Sequence, residues 1–305
     1  MKRKKGLDMI PFRAIELTDR EWIEECLKKS DLMGAEYSFS NNILWEKQYN
    51  LLCANVNGFY CTLGGFGIMR SYGYPTGEGN LKEVVELLMD DAKERGLKFE
   101  MRGIPEGKLP ELKELFPEEF DYISVRDDAD YVYLTERLST LAGKKLHGKR
   151  NHIARFKDNP SWVYEPMTME NIEDCKNMSK KWCELYHCRE DINLVHESCA
   201  VKTAFHHFNE LKLVGGLLRL DGEVVAFTMG EALNSNTFIV HIEKAYSHIQ
   251  GAYPMINQQF VLHECQDFEY VNREDDMGDE GLRKAKLSYY PDILFEKYKA
   301  VLKTN

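Results

Sequence analysis

The stretch Tyr270–Pro291, YVNREDDMGDEGLRKAKLSYYP, decides how the chain is read. It opens as a short alternating strand, with Phe268, Tyr270 and Asn272 on one side and Val271 and Arg273 on the other. Glu274, Asp275 and Asp276 then crowd against Met277-Gly278, a turn signal. Asp279 is placed to cap a helix of roughly three turns that Pro291 stops. Leu282, Ala285 and Tyr289 recur at helical spacing and predict its buried stripe. Arg283, Lys286 and Tyr290 repeat that spacing one residue on, so a cationic and phenolic face is expected beside the apolar one. Such a segment either gathers carboxylates, a guanidinium, an amine and a phenol round one pocket, or is a solvated helix laced with ion pairs.

Just upstream, FIVHIEKAY (238–246) alternates as a strand that sets His241 and Glu243 on one face. A carboxylate there is suited to take a proton from an attacking amine, or simply to satisfy the histidine. His248–Pro254 follows as a glycine turn opening a helix to about Glu264, and Gly73–Gly79 opens the helix Leu81–Arg95 in the same way. A helix start of this kind presents backbone N–H groups to a phosphate or a thioester oxygen, which makes Gly251 and Ala252 candidates for holding a cofactor.

Farther out, the two halves follow one order: strand, two helices, hairpin, strand, glycine turn, helix, strand. Asn57-Gly58 and Asp221-Gly222 mark the hairpins, and Gly73-Tyr74-Pro75 is matched to Ala252-Tyr253-Pro254. Strands are expected at Pro11–Leu17, Lys98–Arg102, Tyr122–Arg126 and Asp130–Leu134, and a helix at Ser198–Asn209. This is a duplicated α/β unit with mixed sheets, divided as 1–142 and 143–305. The second part opens on Lys144–Lys157, KKLHGKRNHIARFK, the densest positive stretch of the chain. Read as a helix, it has Leu146, Ile153 and Phe156 as an apolar stripe, Lys145, Lys149 and His152 on one flank, and His147 and Arg150 on another. It serves either a phosphate-bearing substrate or carboxylates of the other half.

The 305 residues are 43% hydrophobic and 30% charged, with a formal net charge of −10, which disfavours a general nucleic-acid binder. Lys2–Lys5 is a local exception, expected to be a solvated terminus. No window approaches the roughly 20 apolar residues of a membrane span, and MKRKKGLDMI lacks an apolar signal core. The eight scattered cysteines form no CxxC and read as reduced thiols of a cytoplasmic protein. Cys183, His187 and Cys188 are poorly spaced for zinc, so no metal is expected. There is no Gly-x-Ser-x-Gly elbow and no Walker loop, which disfavours hydrolase and kinase chemistry.

YVYLTERLSTLAGKKLHGKRNHIARF (131–156) and NREDDMGDEGLRKAKLSYYP (272–291) resemble bacterial proteins related to the C-terminal domain of phosphatidylglycerol lysyltransferase. These are grouped with the tandem GNAT-type acyltransferases and the Fem-type peptidyltransferases. The resemblance implies two GNAT-like domains and transfer of an acyl or aminoacyl group to an amine or hydroxyl acceptor, on a small molecule or peptide. It implies aminoacyl-tRNA as donor, with acyl-CoA as the alternative. It singles out Lys149, Arg150, Asn151 and His152, and then Asn272, Arg273, Glu274, Asp275, Gly278, Leu282, Arg283, Lys286 and Tyr289. The chain departs from the family's lysyltransferase in having no membrane-spanning flippase segment, which leaves peripheral lipid contact as the route to a lipid acceptor. It departs from the acetyl-CoA loop Arg/Gln-x-x-Gly-x-Gly/Ala at His248–Tyr253.

The roles expected from residues and resemblance together are these. Glu243 or the Asp275-Asp276 turn deprotonates the acceptor. Tyr289 or Tyr290 protonates the leaving group, and the donor carbonyl lies against Thr237–Tyr246. Lys149, Arg150, His152, Asn272, Arg273, Arg283 and Lys286 hold substrate. Competing readings are an ordinary acetyl-CoA-dependent N-acetyltransferase and a binding module without turnover.

Overall fold

The computed structural model describes residues 9–303; the basic run Lys2–Lys5 lies outside them. The chain divides into two units, one formed by the segment up to Ala129 and the segment from Phe295 onward, the other by Asp130–Leu294.

The first unit runs β1 (Arg13–Ala14), α1 (Arg20–Ser30), α2 (Phe39–Tyr49), β2 (Leu52–Val56), β3 (Phe59–Gly64), β4 (Ser71–Gly73), β5 (Thr76–Gly77), α3 (Leu81–Glu94), β6 (Glu100–Pro105), α4 (Leu109–Leu115) and β7 (Phe120–Ser124). Asn57 and Gly58 both take positive φ, +50° and +86°, and so turn β2 back onto β3 in the register Val56 to Phe59. The mixed sheet has the order β1-β2-β3-β4-β6, then the C-terminal strand Lys297–Leu302, then β7, with β5 on β3. Of the strand expected at Pro11–Leu17 only Arg13–Ala14 pairs, because a 3-10 turn begins at Leu17.

The second unit runs β8 (Asp130–Leu134), α5 (Thr135–Thr140), α6 (His147–Lys157), β9 (Val163–Pro166), α7 (Ile172–Leu185), α8 (Ile192–His206), β10 (Val214–Leu220), β11 (Glu223–Ala232), β12 (Thr237–Ala245), α9 (Ala252–Glu264), β13 (Tyr270–Asn272), α10 (Glu280–Leu287) and β14 (Ile293–Phe295). Its sheet order is β14-β8-β13-β12-β11-β10-β9. Leu146, Ile153 and Phe156 bury the predicted stripe of α6 in a core shared with Phe238, Phe260 and Val271. Helix α8 starts earlier than expected because Asp191 caps it, accepting from the Asn193 and Leu194 amides.

The expected division at 142/143 falls inside this second unit. Strand β8 pairs with β13 and so belongs to the second sheet, while the C-terminal strand returns to the first. The matching of Gly73-Tyr74-Pro75 to Ala252-Tyr253-Pro254 does not hold. Gly73 ends β4, paired with β6, whereas Ala252–Pro254 form the first turn of α9.

Gly251, at the start of α9, has φ +86°, and a Cβ there would run into the His152 carbonyl on α6. The glycine is what lets α9 pack against α6. Gly251→Ala is expected to cost about 2–4 kcal/mol, through positive-φ strain and overpacking against backbone. A urea-unfolding midpoint equal to wild type would show that the packing yields.

Candidate functional site

The site begins where two parallel strands part. β12 and β13 pair only over Thr237–Ile239 and Tyr270–Asn272. The chain beyond β13 keeps to β8 instead: Arg273 N donates to Tyr131 O (2.9 Å), and Tyr131 N to Glu274 O (3.1 Å). Ladder hydrogen bonds therefore give way to side chains across the opening. His241 Nδ1 meets Glu274 Oε1 at 2.8 Å, and Arg273 Nη2 donates to Glu243 Oε1 at 2.9 Å. A bulge aims the histidine, since Met229 pairs with Ile242 and Gly230 with Val240, leaving His241 as the extra residue. Its Nε2 lies 3.3 Å from Glu231 Oε1, so an imidazole only 1% exposed sits between two carboxylates. Burial by itself would lower its pKa, but the bonds to Glu231 and Glu274 outweigh that and raise it to about 9.

Arg273 is the centre of the cluster. Its side chain is 11% exposed and that of Glu243 12%, so both are largely desolvated. The guanidinium carbon lies 4.9 Å from the Tyr289 ring centroid and 5.9 Å from that of Tyr133. From α9, Asn257 Nδ2 donates to the other oxygen of Glu243 at 3.1 Å. From α6, Lys149 sets its Nζ 3.9 Å from the Tyr289 ring centroid. Burial, and then the Arg273 charge, push the Lys149 amine down to about 8, with Glu243 opposing. The Tyr289 phenol is pushed up by burial and stays protonated across the neutral range. The Tyr289 phenol interacts with the Arg273 guanidinium, yet two buried polar atoms of the cluster have no hydrogen bond of good geometry within the protein: Arg273 Nη1 and Asn257 Oδ1.

The acidic turn and α10 have a different task. The expected apolar stripe holds only at Tyr289, which is buried: Leu282 and Ala285 are exposed, whereas Lys286, expected on the polar face, is buried. The reason is that the turn directs carbonyls inward. Lys286 Nζ donates to Arg273 O at 2.6 Å and also to Asp275 O. Asp276 is fully buried and accepts from Arg283 Nε and Nη2, both at 2.8 Å, from Tyr131 Oη at 2.5 Å and from the Gly278 amide. Burial would raise the Asp276 pKa, but the bonds from Arg283 and Tyr131 hold it well below the usual carboxylate range, which makes it a poor base. Asp275 Oδ1 accepts from the Met277 amide, and Asn272 is buried, bonded to Asp130 and to the Glu274 amide.

The structure thus brings Lys149, Glu243, Arg273 and Tyr289 together. Asp275, Asp276, Asn272, Arg283 and Lys286 form the scaffold behind Arg273. Arg283, expected to hold substrate together with Lys149, is folded onto Asp276. Arg150 donates to the carbonyls of Leu141 and Gly143, and His152 is exposed on α6. Gly251 is packed on α6 and Ala252 is buried. Tyr290 is exposed, with Lys145 5.1 Å from its ring centroid. Sequence reading missed Asn257 and Tyr133. A polar residue on the apolar side of α9, between Ile256 and Phe260, was the only signal for the first.

The α/β fold is shared with FemX, whose solved structure overlays with a TM-score of 0.58 at 9% identity, covering 96% of this chain and 98% of that one. The chain belongs to the family described as phosphatidylglycerol lysyltransferase, C-terminal, which it matches over residues 28–301. A conserved protein of unknown function from Bacteroides thetaiotaomicron is 41% identical, with a TM-score of 0.92 over 97% of this chain and 100% of that one. L-PGS from Bacillus licheniformis has a TM-score of 0.67 at 16% identity, over 99% and 95%. The chain spans about half the length (54%) of the curated relative it matches. Among the described residues no helix is long and apolar enough to cross a membrane, and no group of three His, Cys, Asp or Glu is placed to hold a metal.

Arg283→Ala leaves the Asp276 carboxylate buried without its cation, and a stability loss of about 3 kcal/mol is expected in chemical denaturation. An unchanged midpoint would show the pair to be idle. His241 has a folded pKa near 9, above the unfolded 6.5. Its contribution is therefore complete below pH 6.5 and is lost as pH rises towards 9. Lys149, depressed to about 8 from 10.5, acts in the opposite sense, but only above its folded value. Stability is expected to fall between pH 6.5 and 8, and His241→Gln to flatten that fall. Parallel pH profiles for the two proteins would refute the assignment.

Proposed function

We propose that the second unit transfers an activated acyl or aminoacyl group from an ester donor to an amine or hydroxyl acceptor, with aminoacyl-tRNA as donor. One observation carries the reading: a buried guanidinium N–H without a partner, Arg273 Nη1, stands in the same cluster as an amine whose pKa burial has brought to about 8. A partnerless buried donor suits a carbonyl oxygen that gains negative charge in the transition state. A lysine near neutrality suits proton transfer at working pH.

In this reading the acceptor nitrogen or oxygen attacks the donor carbonyl carbon while Arg273 Nη1 bonds the developing oxyanion. Neutral Lys149 takes the acceptor's proton. When the ester C–O bond breaks, that proton passes to the leaving oxygen. Glu243 holds Arg273 in place, and Tyr289 seats Lys149 against its ring. The family description names a lysyltransferase and supports an aminoacyl donor. The departure of His248–Tyr253 from the acetyl-CoA loop favours an aminoacyl donor over acetyl-CoA.

Transfer of labelled aminoacyl groups from a charged tRNA pool tests the proposal, with phosphatidylglycerol vesicles and soluble amines as acceptors. The rate is expected to rise with pH through a midpoint near 8, as a group that must lose its proton requires. Lys149→Met is expected to be slower by about 10²–10⁴-fold and to lose that limb. Absence of transfer with every donor, acyl-CoA included, would leave a binding module. A limb retained in Lys149→Met would remove the lysine from the mechanism.

A further inference from the structure

Asn257 is unaccounted for by acyl transfer as such. It lies on α9 at 2% exposure, its Nδ2 on Glu243 Oε2 and its Oδ1 without a partner. The orientation is fixed, because only the amide nitrogen can donate to a carboxylate. A buried carbonyl oxygen without a partner is costly, so the position calls for an N–H donor from a ligand or a water. Arg273 Nη1, the vacant donor, belongs to the residue bound to the opposite oxygen of the same carboxylate. Glu243 thus carries on one side a group that lacks an acceptor and on the other a group that lacks a donor.

A plain acyl group has a carbonyl for Arg273 and nothing for Asn257. An α-aminoacyl group has both, with its amine one carbon from the carbonyl, and an α-ammonium is also attracted by the Glu243 charge. Building on the transferase reading, we propose that Asn257 is a specificity-determining residue. It reads the α-amine of the donor's aminoacyl group through Oδ1, with Glu243 as counter-ion. The site then rejects a donor without the amine by leaving a buried acceptor unpaired, a strong form of discrimination.

Calorimetric binding to the full chain tests this with stable 3′-amide analogues of aminoacyl-adenosine. Two pairs are used, lysyl with 6-aminohexanoyl and alanyl with propionyl, and the members of each pair differ only in the α-amine. Wild type is expected to prefer the α-amino member by about 10–100-fold. Asn257→Leu is expected to cut the preference severalfold, read as the ratio between the two members of each pair, because any loosening of Glu243 and Arg273 weakens both members alike. Asn257→Ser keeps a hydroxyl that can donate to Glu243 and still offer an acceptor, and is expected to keep the preference, so it decides the question if the leucine variant does not fold. Equal binding of both members by wild type, with the vacancy filled by water, would overturn the role of Asn257 and leave the transferase reading standing. If no analogue binds, the transferase reading falls and this assignment falls with it.

Discussion

The pairing of Arg273 with Glu243 spans the place where β12 and β13 separate, and the rest of the second unit is arranged around that bond. A guanidinium taken almost wholly out of water is tolerated only beside a carboxylate, and the carboxylate only with further donors on its free lone pairs. Asn257 supplies one such donor from α9. Tyr133 and Tyr289 supply ring faces that favour the cation. Lys149 is drawn into the same surroundings from α6, and there its charge becomes expensive. One ion pair thereby fixes residues from β8, α6, β12, α9 and the segment after α10 in a single neighbourhood.

The acidic turn explains how Arg273 is held. Its backbone is clamped twice, by the ladder with Tyr131 and by the Lys286 ammonium on its carbonyl. Behind it, Asp276 gathers Arg283, Tyr131 and the Gly278 amide, and Asn272 links Asp130 to the Glu274 amide. Such a network is stable because each buried charge has its partners, and it is fragile for the same reason. The charged motif is therefore mostly support, and a single guanidinium projects from it into the site. A carboxylate as firmly tied as Asp276 is of no use as a proton acceptor, whereas an amine destabilised by burial is.

Much of this could be read in the chain. The hairpins at Asn57-Gly58 and Asp221-Gly222 could be read because positive φ at adjacent positions admits few residues. Asp279 as the cap of α10 could be read because its side chain bonds the Leu282 amide three residues on. Within α6, the Leu146, Ile153 and Phe156 stripe lies where the period put it. Lys149, Glu243, Arg273 and Tyr289 were already suspected, but on equal terms with Asp276 and Arg283. Ordinary charge patterning does not separate a residue that serves the site from one that serves the residue beside it.

Local pattern, then, determined the elements, their caps and turns, and the two charged segments that matter, since those depend on neighbours a few positions apart. Only the tertiary structure decided that β8 belongs with the second sheet, that α10 turns its lysine inward and leaves Leu282 in water, and that Asn257 completes a cluster around Glu243. These outcomes turn on partners far apart in the sequence: Lys286 on carbonyls of the acidic turn, Tyr131 on Asp276, Arg273 on a carboxylate from another strand. A hydrophobic period assumes that charge seeks water. Here buried carbonyls and carboxylates offered the charges better-placed partners than water, and that preference exists only once the chain has folded.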